Sequence, residues 1–498
     1  MPSYDFDIAV IGGGAAGLTV TSGAAQLGAR TLLIEKESAL GGDCLHFGCV
    51  PSKTLIKSAH VYHALKNAEA FGLPDVHVPS IDFRQVADRV RSVVATIQKH
   101  DSVERFCGLG ARVEFGEARF TDEHTVKLGG RSFTAQKWVI ATGSSPVVPP
   151  IEGLLDVDYL TNREIFYMDR LPASMIVLGG GPIGIEMAQA FNRFGCRVTV
   201  VDMGSQILGK EDRDMADEVM AVLEEEGVAF LLNAKVVRVR REGADRKAVV
   251  VATPDGERTL VSEAILVAIG RTANVDGLGL DAIGVDFDRS GIKVDDRMRT
   301  SQKHIFAAGD INGGYQFTHA AGYEGGIVVA NAVFRLPRKA DYTFLPWCTY
   351  TDPELASIGM NERTAQARGE AYSVFSEAFA DNDRSLAEGQ RRGRIKLLLD
   401  RKEKPLGVQI LGPRAGDLVS EWVAVLNGQV KLATLAAAVH PYPTLGEINK
   451  RLAGSYLAPK IFSERIKKGL KLIFNLKGRA CGGPQDKCLQ DCEMGEKA

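Results

Sequence analysis

The chain has 498 residues, which at roughly 150 per domain predicts about three domains. Its 60 Lys and Arg against 62 Asp and Glu leave a net charge of −2, which excludes a large nucleic-acid footprint, since that needs a basic excess. With 45% hydrophobic and 24% charged residues, and no apolar run near the ~18 residues of a membrane span, the bulk of the chain reads as globular and not as disordered or transmembrane.

Met1 to Val10 carries Asp5 and Asp7 and enters an apolar strand directly. It has neither the basic start nor the cleavage site of a signal peptide, so the cytoplasm is the expected location. Eight cysteines are too few for a disulfide-stapled secreted fold. Closely spaced cysteines in such a chain point to metal or redox chemistry.

The strand Ile8–Ile11 leads into Gly12-Gly13-Gly14-Ala15-Ala16-Gly17, a G-x-G-x-x-G turn. A helical pattern follows to Leu27, with Gly28 as its stop, and a second strand from Thr31 ends on Glu35. Gly12 permits the tight turn, Gly14 lets a pyrophosphate approach the backbone, and Gly17 lets the helix pack on the sheet. The phosphates then sit at a helix N-terminus, and Glu35 is placed to accept from ribose hydroxyls.

The same unit recurs at Ile176–Gly184, with Gly179, Gly181 and Gly184 in the three glycine positions, and the strand Arg197–Val201 ends on Asp202. Gly12 to Glu35 and Gly179 to Asp202 both span 23 positions. Two copies at one spacing predict an α/β protein with two Rossmann-like domains binding two dinucleotides. At the second site the Asp202 carboxylate repels a 2′-phosphate, and Met203-Gly204-Ser205-Gln206 offers no cation, so NADH is expected over NADPH.

The first nucleotide domain is expected over residues 1–150 and again over 275–342, where Ile305–Ala308 reads as a strand followed by Gly309-Asp310. The second is expected as an insertion over 151–274. Residues 343–459 read as an α+β domain without a nucleotide motif, from strands at Arg394–Leu399 and Leu406–Leu411 and a helix at Asp417–Leu426.

Between the first unit's elements lies Gly41-Gly42-Asp43-Cys44-Leu45-His46-Phe47-Gly48-Cys49-Val50-Pro51-Ser52-Lys53. On an ideal helix Cys44 and Cys49 would point about 140° apart, so pairing them needs a local distortion, which Gly48 can supply. Pro51 suits the first turn of a following helix, which puts Cys49 at a helix N-terminus where a thiolate is favoured. Spacing alone leaves open a redox pair, two structural thiols, or half a zinc site that lacks its second pair.

These motifs, with Ala141-Thr142-Gly143, Glu186, Ala268-Ile269-Gly270-Arg271 and Ala308-Gly309-Asp310, resemble the flavoprotein pyridine nucleotide-disulfide oxidoreductases. That family includes lipoamide dehydrogenase, glutathione reductase and mercuric reductase, and the resemblance spans Asp5 to about Ala458. It implies FAD at the first nucleotide site, with Gly42, Ala118, Thr142, Gly143, Asp310 and Thr318 among its contacts, and Gly270 beside the cofactors. It implies that Lys53 lies near the flavin and pairs with Glu186. It makes Cys44 and Cys49 a redox disulfide, with Cys49 on the flavin side and Cys44 facing the substrate. It makes the third domain the interface of a homodimer. Electrons would pass from NADH through FAD and the cysteine pair to an acceptor.

One segment departs from the family. In disulfide-reducing members a histidine before Pro-Thr, with Glu five residues on, acts as acid-base across the dimer. Here the segment is Val439-His440-Pro441-Tyr442-Pro443-Thr444-Leu445-Gly446-Glu447. Anchored on Pro443, Thr444 and Glu447, the histidine position holds Tyr442, and His440 is displaced by two. A histidine titrating near 6.5 suits proton transfer at neutral pH, and a tyrosine near 10 does not. Pro441 and Pro443 stiffen the segment against a slide. Mercuric reductase has tyrosine there, and a thiolate-bound soft metal ion needs sulfur, not a proton shuttle. The expected acceptor is therefore a soft metal ion in transient contact with Cys44 and Cys49, with no structural metal. The alternative is a dihydrolipoamide dehydrogenase-like disulfide reductase in which His440 works from its shifted place with Glu447. A non-catalytic redox sensor is disfavoured because Lys53, Cys44, Cys49 and Glu186 are all present. Two expectations count against a standard mercuric reductase: that the family's N-terminal metal-binding domain and its vicinal C-terminal cysteine pair are both missing.

Residues 460–498 form a tail. Lys460 to Arg479 is strongly basic, with Ile461, Phe462, Ile466, Leu470, Ile473 and Phe474 at near-helical spacing. It is either a surface helix packed on the body or a basic amphipathic helix on an anionic membrane. Cys481, Cys488 and Cys492 beyond it are either soft-metal ligands or exposed thiols.

Overall fold

The computed structural model describes residues 3–478; Cys481, Cys488 and Cys492 lie outside them. The first sheet is built on β1 (Phe6–Ile11), which leads to helix α1 (Ala15–Gln26) and β2 (Thr31–Glu35). After helices α2 (Gly42–His46) and α3 (Cys49–Lys66) come β3 (Ala111–Phe115), β4 (Ala118–Asp122), β5 (Thr125–Leu128) and β6 (Arg131–Ile140). β1 lies parallel between β2 and β6, and β3 pairs with the far side of β2. The strand Ile305–Ala307 returns to this sheet and pairs with β6 in parallel. β1, β2 and Ile305–Ala307 read as continuous apolar runs because both their faces are covered. Ala9, Val10, Leu32 and Leu33 are all buried.

The second sheet has four parallel strands, Ala229–Leu231, Arg197–Val201, Ser174–Leu178 and Ala264–Val267, in that spatial order. A three-stranded antiparallel sheet over 235–262 accompanies it. The two Gly-rich turns are superimposable in their logic. Gly12 and Gly179 have φ of +109° and +112°, which L side chains rarely adopt. A Cβ on Gly17 would stand 1.8 Å from the Gly12 carbonyl oxygen, and one on Gly184 would stand 2.0 Å from that of Gly179. Only glycine allows either helix to start so close to its strand.

The third sheet is antiparallel, in the order Pro346–Thr349, Glu354–Gly359, Pro405–Gly412, Arg394–Asp400, Tyr372–Ala378. Helices Ala415–Asn427 and Glu447–Ile461 contribute to its core. Trp422 is fully buried there, and its indole N–H donates to Asn449 Oδ1 at 2.8 Å. That bond matters for the site, because Asn449 Nδ2 in turn donates to Glu421 Oε2 at 2.8 Å.

The tail helix spans Glu464–Phe474, and none of its residues is buried. The expectation of a helix packed on the body is therefore not met. No helix among the described residues is long and apolar enough to cross a membrane.

Candidate functional site

A continuous cleft of about 1650 Å³ opens onto both nucleotide units. From the first it is lined by Gly12, Gly14, Glu35, Gly42, Ala118, Thr142, Gly143 and Asp310, and from the second by Gly179, Gly181, Asp202 and Gly270. Cys44, Cys49, Lys53, Glu186 and Thr318 line the same cleft. Gly17 and Gly184 are not on its wall; they act from beneath, by letting the helices close on the turns.

The two strand-end acids are held alike. Glu35 Oε2 accepts from the Gly13 N–H at 2.6 Å and Oε1 from the Glu37 N–H at 2.8 Å. Asp202 Oδ2 accepts from the Gly180 N–H and Oδ1 from the Gly204 N–H, both at 2.6 Å. Each carboxylate is thereby fixed at the end of its strand with lone pairs left for a ligand hydroxyl.

Gly48 is the point at which α2 stops and α3 starts, so Cys49 is the first residue of α3. A Cβ at Gly48 would stand 2.9 Å from the Asp43 carbonyl oxygen and 3.1 Å from the Cys44 Cα. This is the distortion that brings the two cysteines together. The two sulfurs stand unbonded beside each other, as the expected redox pair requires of its reduced state. The Cys44 thiol donates to the Cys49 sulfur; with the Lys53 charge, this outweighs burial and brings Cys49 down to about 6. Cys44 is pushed up by the same bond and by its burial, so it keeps its proton. The Thr318 hydroxyl lies 3.6 Å from Cys49 Sγ, which gives this residue a contact with the thiol.

Lys53 sits one turn along α3 from Cys49, and its Nζ is 2.8 Å from Glu186 Oε2. Glu186 is buried, on the helix after the second Gly-rich turn. Its other oxygen accepts from the Tyr350 N–H at 2.9 Å, and the Tyr350 ring lies 4.5 Å from Lys53 Nζ. Burial acts against the charge on Lys53, but the Glu186 carboxylate raises its pKa overall.

Asp310 accepts from the Ser144 hydroxyl at 2.6 Å and lies 3.9 Å from Arg271. Arg271 also donates to Ser144 Oγ at 2.7 Å and lies 3.1 Å from Asp43. Burial raises the Asp310 carboxyl despite these partners. Sequence reasoning missed Ser144, Tyr350 and Cys348 on the same wall; Ser144 directly follows the Ala141-Thr142-Gly143 motif, and no local motif marks the other two.

Tyr442, His440 and Glu447 do not line the cleft of this single chain. Tyr442 is 70% exposed, and its hydroxyl donates to Asp383 Oδ2 at 2.8 Å. That bond and the Asp383 charge raise the phenol's pKa. The His440 side chain is 12% exposed, with Nε2 2.9 Å from Glu421 Oε1. The expected pairing of His440 with Glu447 is corrected: Glu447 accepts from the Thr444 N–H at 3.3 Å, and Glu421 takes the histidine because Asn449 holds it in place.

The sequence profile described as pyridine nucleotide-disulphide oxidoreductase matches residues 6–325, and that of the family's dimerisation domain matches residues 345–453. The chain belongs to this family. It is an FAD-dependent pyridine nucleotide-disulfide oxidoreductase. It is 34% identical over 459 residues to the dihydrolipoyl dehydrogenase of Bacillus subtilis (strain 168), covering 89% of this chain and 96% of that one. It is 31% identical to the mercuric reductase of Bacillus cereus, covering 94% of this chain and 73% of the relative. The HOCl-induced flavoprotein disulfide reductase RclA from Escherichia coli superposes with a TM-score of 0.81 at 28% identity, covering 90% and 99% of the two chains. A Cu(II) complex of that protein superposes with a TM-score of 0.80 at 27% identity, covering 89% and 98%.

The oxidoreductase's own residues fit the family's flavin. Gly14 caps α1 without a side chain, so the first-turn N–H groups stay open to the cleft for a pyrophosphate. A Cβ on Gly42 would stand 2.7 Å from the Gly14 Cα, which fixes the cysteine segment directly against that turn. The second unit repeats the open turn at Gly181, with Pro182 as the first helical residue.

Proposed function

We propose that this oxidoreductase takes electrons from NADH and delivers them to a thiolate-bound soft metal ion, as a mercuric reductase does. The observation that carries the reading is the division of labour at the third domain's surface. His440 is turned inward onto Glu421, and Tyr442 is turned outward. A hydroxyl whose proton is held by Asp383 is a poor acid at neutral pH, but its oxygen keeps a lone pair for a cation.

Gly12, Gly14, Glu35 and Asp310 would hold FAD, whose chemistry when bound is two-electron exchange between reduced nicotinamide and the cysteine pair. Cys49 contributes a sulfur that is anionic at neutral pH, and Lys53 balances its charge. Cys44 carries the shared proton and is the sulfur on which the acceptor is taken up, the proton passing to the thiolate that the metal ion releases as the new metal–sulfur bond forms. Two neighbouring sulfurs, Cys49 at the start of α3 and Cys44 in α2, suit a soft cation. The family's dimerisation domain supports a homodimer in which Tyr442 of each chain completes the partner's site.

The Asp202 carboxylate, fixed by two backbone N–H groups, supports NADH over NADPH, although Lys210 and Lys235 also line the cleft.

The second reading is reduction of a small disulfide. His440 and Glu421 form a histidine–carboxylate pair 2.9 Å apart, which is the chemical form of an acid-base dyad. An NADH-oxidation assay of the holoenzyme with mercuric ion in excess thiol, lipoamide and glutathione disulfide separates the two. Turnover with mercuric ion well above that with either disulfide is the expected result. The reverse order assigns disulfide reduction.

A further inference from the structure

The helix Glu464–Phe474 lies beyond residue 453, where the dimerisation-domain match ends, and the function proposed above makes no use of it. Ile466, Leu470, Ile473 and Phe474 stand at i, i+4, i+7 and i+8, which places them within about 100° of one another around the axis. None is buried: Ile473 is 73% and Phe474 66% exposed. Phe462, just ahead of the helix, and Leu476, just past it, are exposed as well. Soluble surfaces rarely leave such a stripe uncovered unless something covers it.

The charge around the stripe says what. Lys467 and Lys471 border it on one side and Arg465 on the other, Lys468 stands on the outer face, and Leu472, 86% exposed, lies beside Arg465 outside the stripe. Glu464 is the single acid of the helix and is taken by Lys467 at 2.7 Å. Arg465, Lys468, Lys471 and Lys477 make no ion pair among the described residues. An apolar stripe with cations along both margins matches a surface that is anionic at the headgroups and apolar just below them. A protein groove would have to supply both over the same few ångströms.

We propose that the Glu464–Phe474 helix docks this oxidoreductase on an anionic lipid surface. It lies in the interface with Ile466, Leu470, Ile473 and Phe474 toward the acyl boundary, while the Lys and Arg side chains reach the headgroups. The body stays in water, so the cleft remains open to NADH. Each basic residue near such a surface strengthens partition on the order of fivefold, and the effect is lost at high salt.

The test is co-sedimentation of the full-length holoenzyme with phosphatidylcholine vesicles, with and without phosphatidylglycerol. Binding is expected only with phosphatidylglycerol and is expected to be released by salt. Leu470→Glu with Ile473→Glu should abolish it. Arg465→Gln, Lys468→Gln and Lys471→Gln together should weaken it about a hundredfold, from three losses of fivefold each. NADH oxidation in solution should be unchanged in both variants, showing that the body is intact. No binding of the wild type to anionic vesicles overturns the proposal, as does binding that survives the Leu470→Glu, Ile473→Glu change. Gel filtration gives a third arm. If that double change turns a dimer into a monomer, the stripe is covered by a second copy of the chain, and the lipid assignment is wrong.

Discussion

Lys53 Nζ and Glu186 Oε2 are 2.8 Å apart and join the cysteine helix to the helix of the second nucleotide unit. The pair sets the charge felt by Cys49, since Lys53 favours the thiolate and Glu186 opposes it. Breaking it from either side should therefore move Cys49 in opposite directions.

The thiolate population of the reduced enzyme should be full above the Cys49 pKa of about 6 and should fall as pH drops through it. Lys53→Gln removes an opposite charge, so the midpoint should rise by about one unit or more. Glu186→Gln removes the repulsion and should lower it. Alkylation rate against pH reads both midpoints. Equal midpoints in the wild type and Lys53→Gln would mean that the ion pair is structural only.

The assignment of Cys49 to the flavin side makes a spectroscopic prediction. Two-electron reduction of the holoenzyme should give a long-wavelength thiolate-to-flavin band. Cys49→Ser should abolish the band, and Cys44→Ser should show it without reduction. A Cys49→Ser enzyme that keeps the band reverses the roles of the two thiols.

Gly17 and Gly184 occupy equivalent places under two different nucleotides. A methyl group at Gly17 would meet the Gly12 carbonyl oxygen at 1.8 Å, so Gly17→Ala should purify without flavin. At Gly184 the same contact is 2.0 Å. Gly184→Ala should retain flavin but raise the KM for NADH about tenfold or more, a loss of ~1.4 kcal/mol. Absorbance spectra and steady-state kinetics of the two variants check the division. Loss of flavin from Gly184→Ala would contradict it.

What the sequence made legible follows from distance along the chain. The Gly-rich turns, Glu35, Asp202 and the Cys44–Cys49 segment are local motifs, each read within one strand–turn–helix unit. The partners that decide their chemistry come from elsewhere. Glu421 reaches His440 across 19 residues and is aimed by Asn449, and Asp383 reaches Tyr442 across 59. Arg271 was visible as part of a motif, but its bridge from Asp43 to Ser144 and Asp310 forms only when the second unit is folded against the first. The tail helix was legible in its spacing and charge. Whether the body would cover its apolar side was not, because periodicity reports a face and not its neighbour.

Nucleotide preference tests the second unit on its own. With Asp202 fixed at the strand end, kcat/KM for NADH should exceed that for NADPH at least about tenfold. Asp202→Ala combined with Met203→Arg should shift the ratio toward NADPH. Equal values for the wild type would show that Lys210 or Lys235 offsets the carboxylate.

Under the proposed metal-ion reduction, Tyr442 and not His440 serves the acceptor. The decisive measurement is NADH oxidation by Tyr442→Phe and His440→Ala holoenzymes, each with mercuric ion in excess thiol and with lipoamide. Tyr442→Phe is predicted to lower mercuric-ion turnover while flavin reduction by NADH stays intact, and His440→Ala to change it little. Substantial lipoamide reduction by the wild type, reduced about 10²-fold or more in His440→Ala as for a lost general acid-base, would contradict the account.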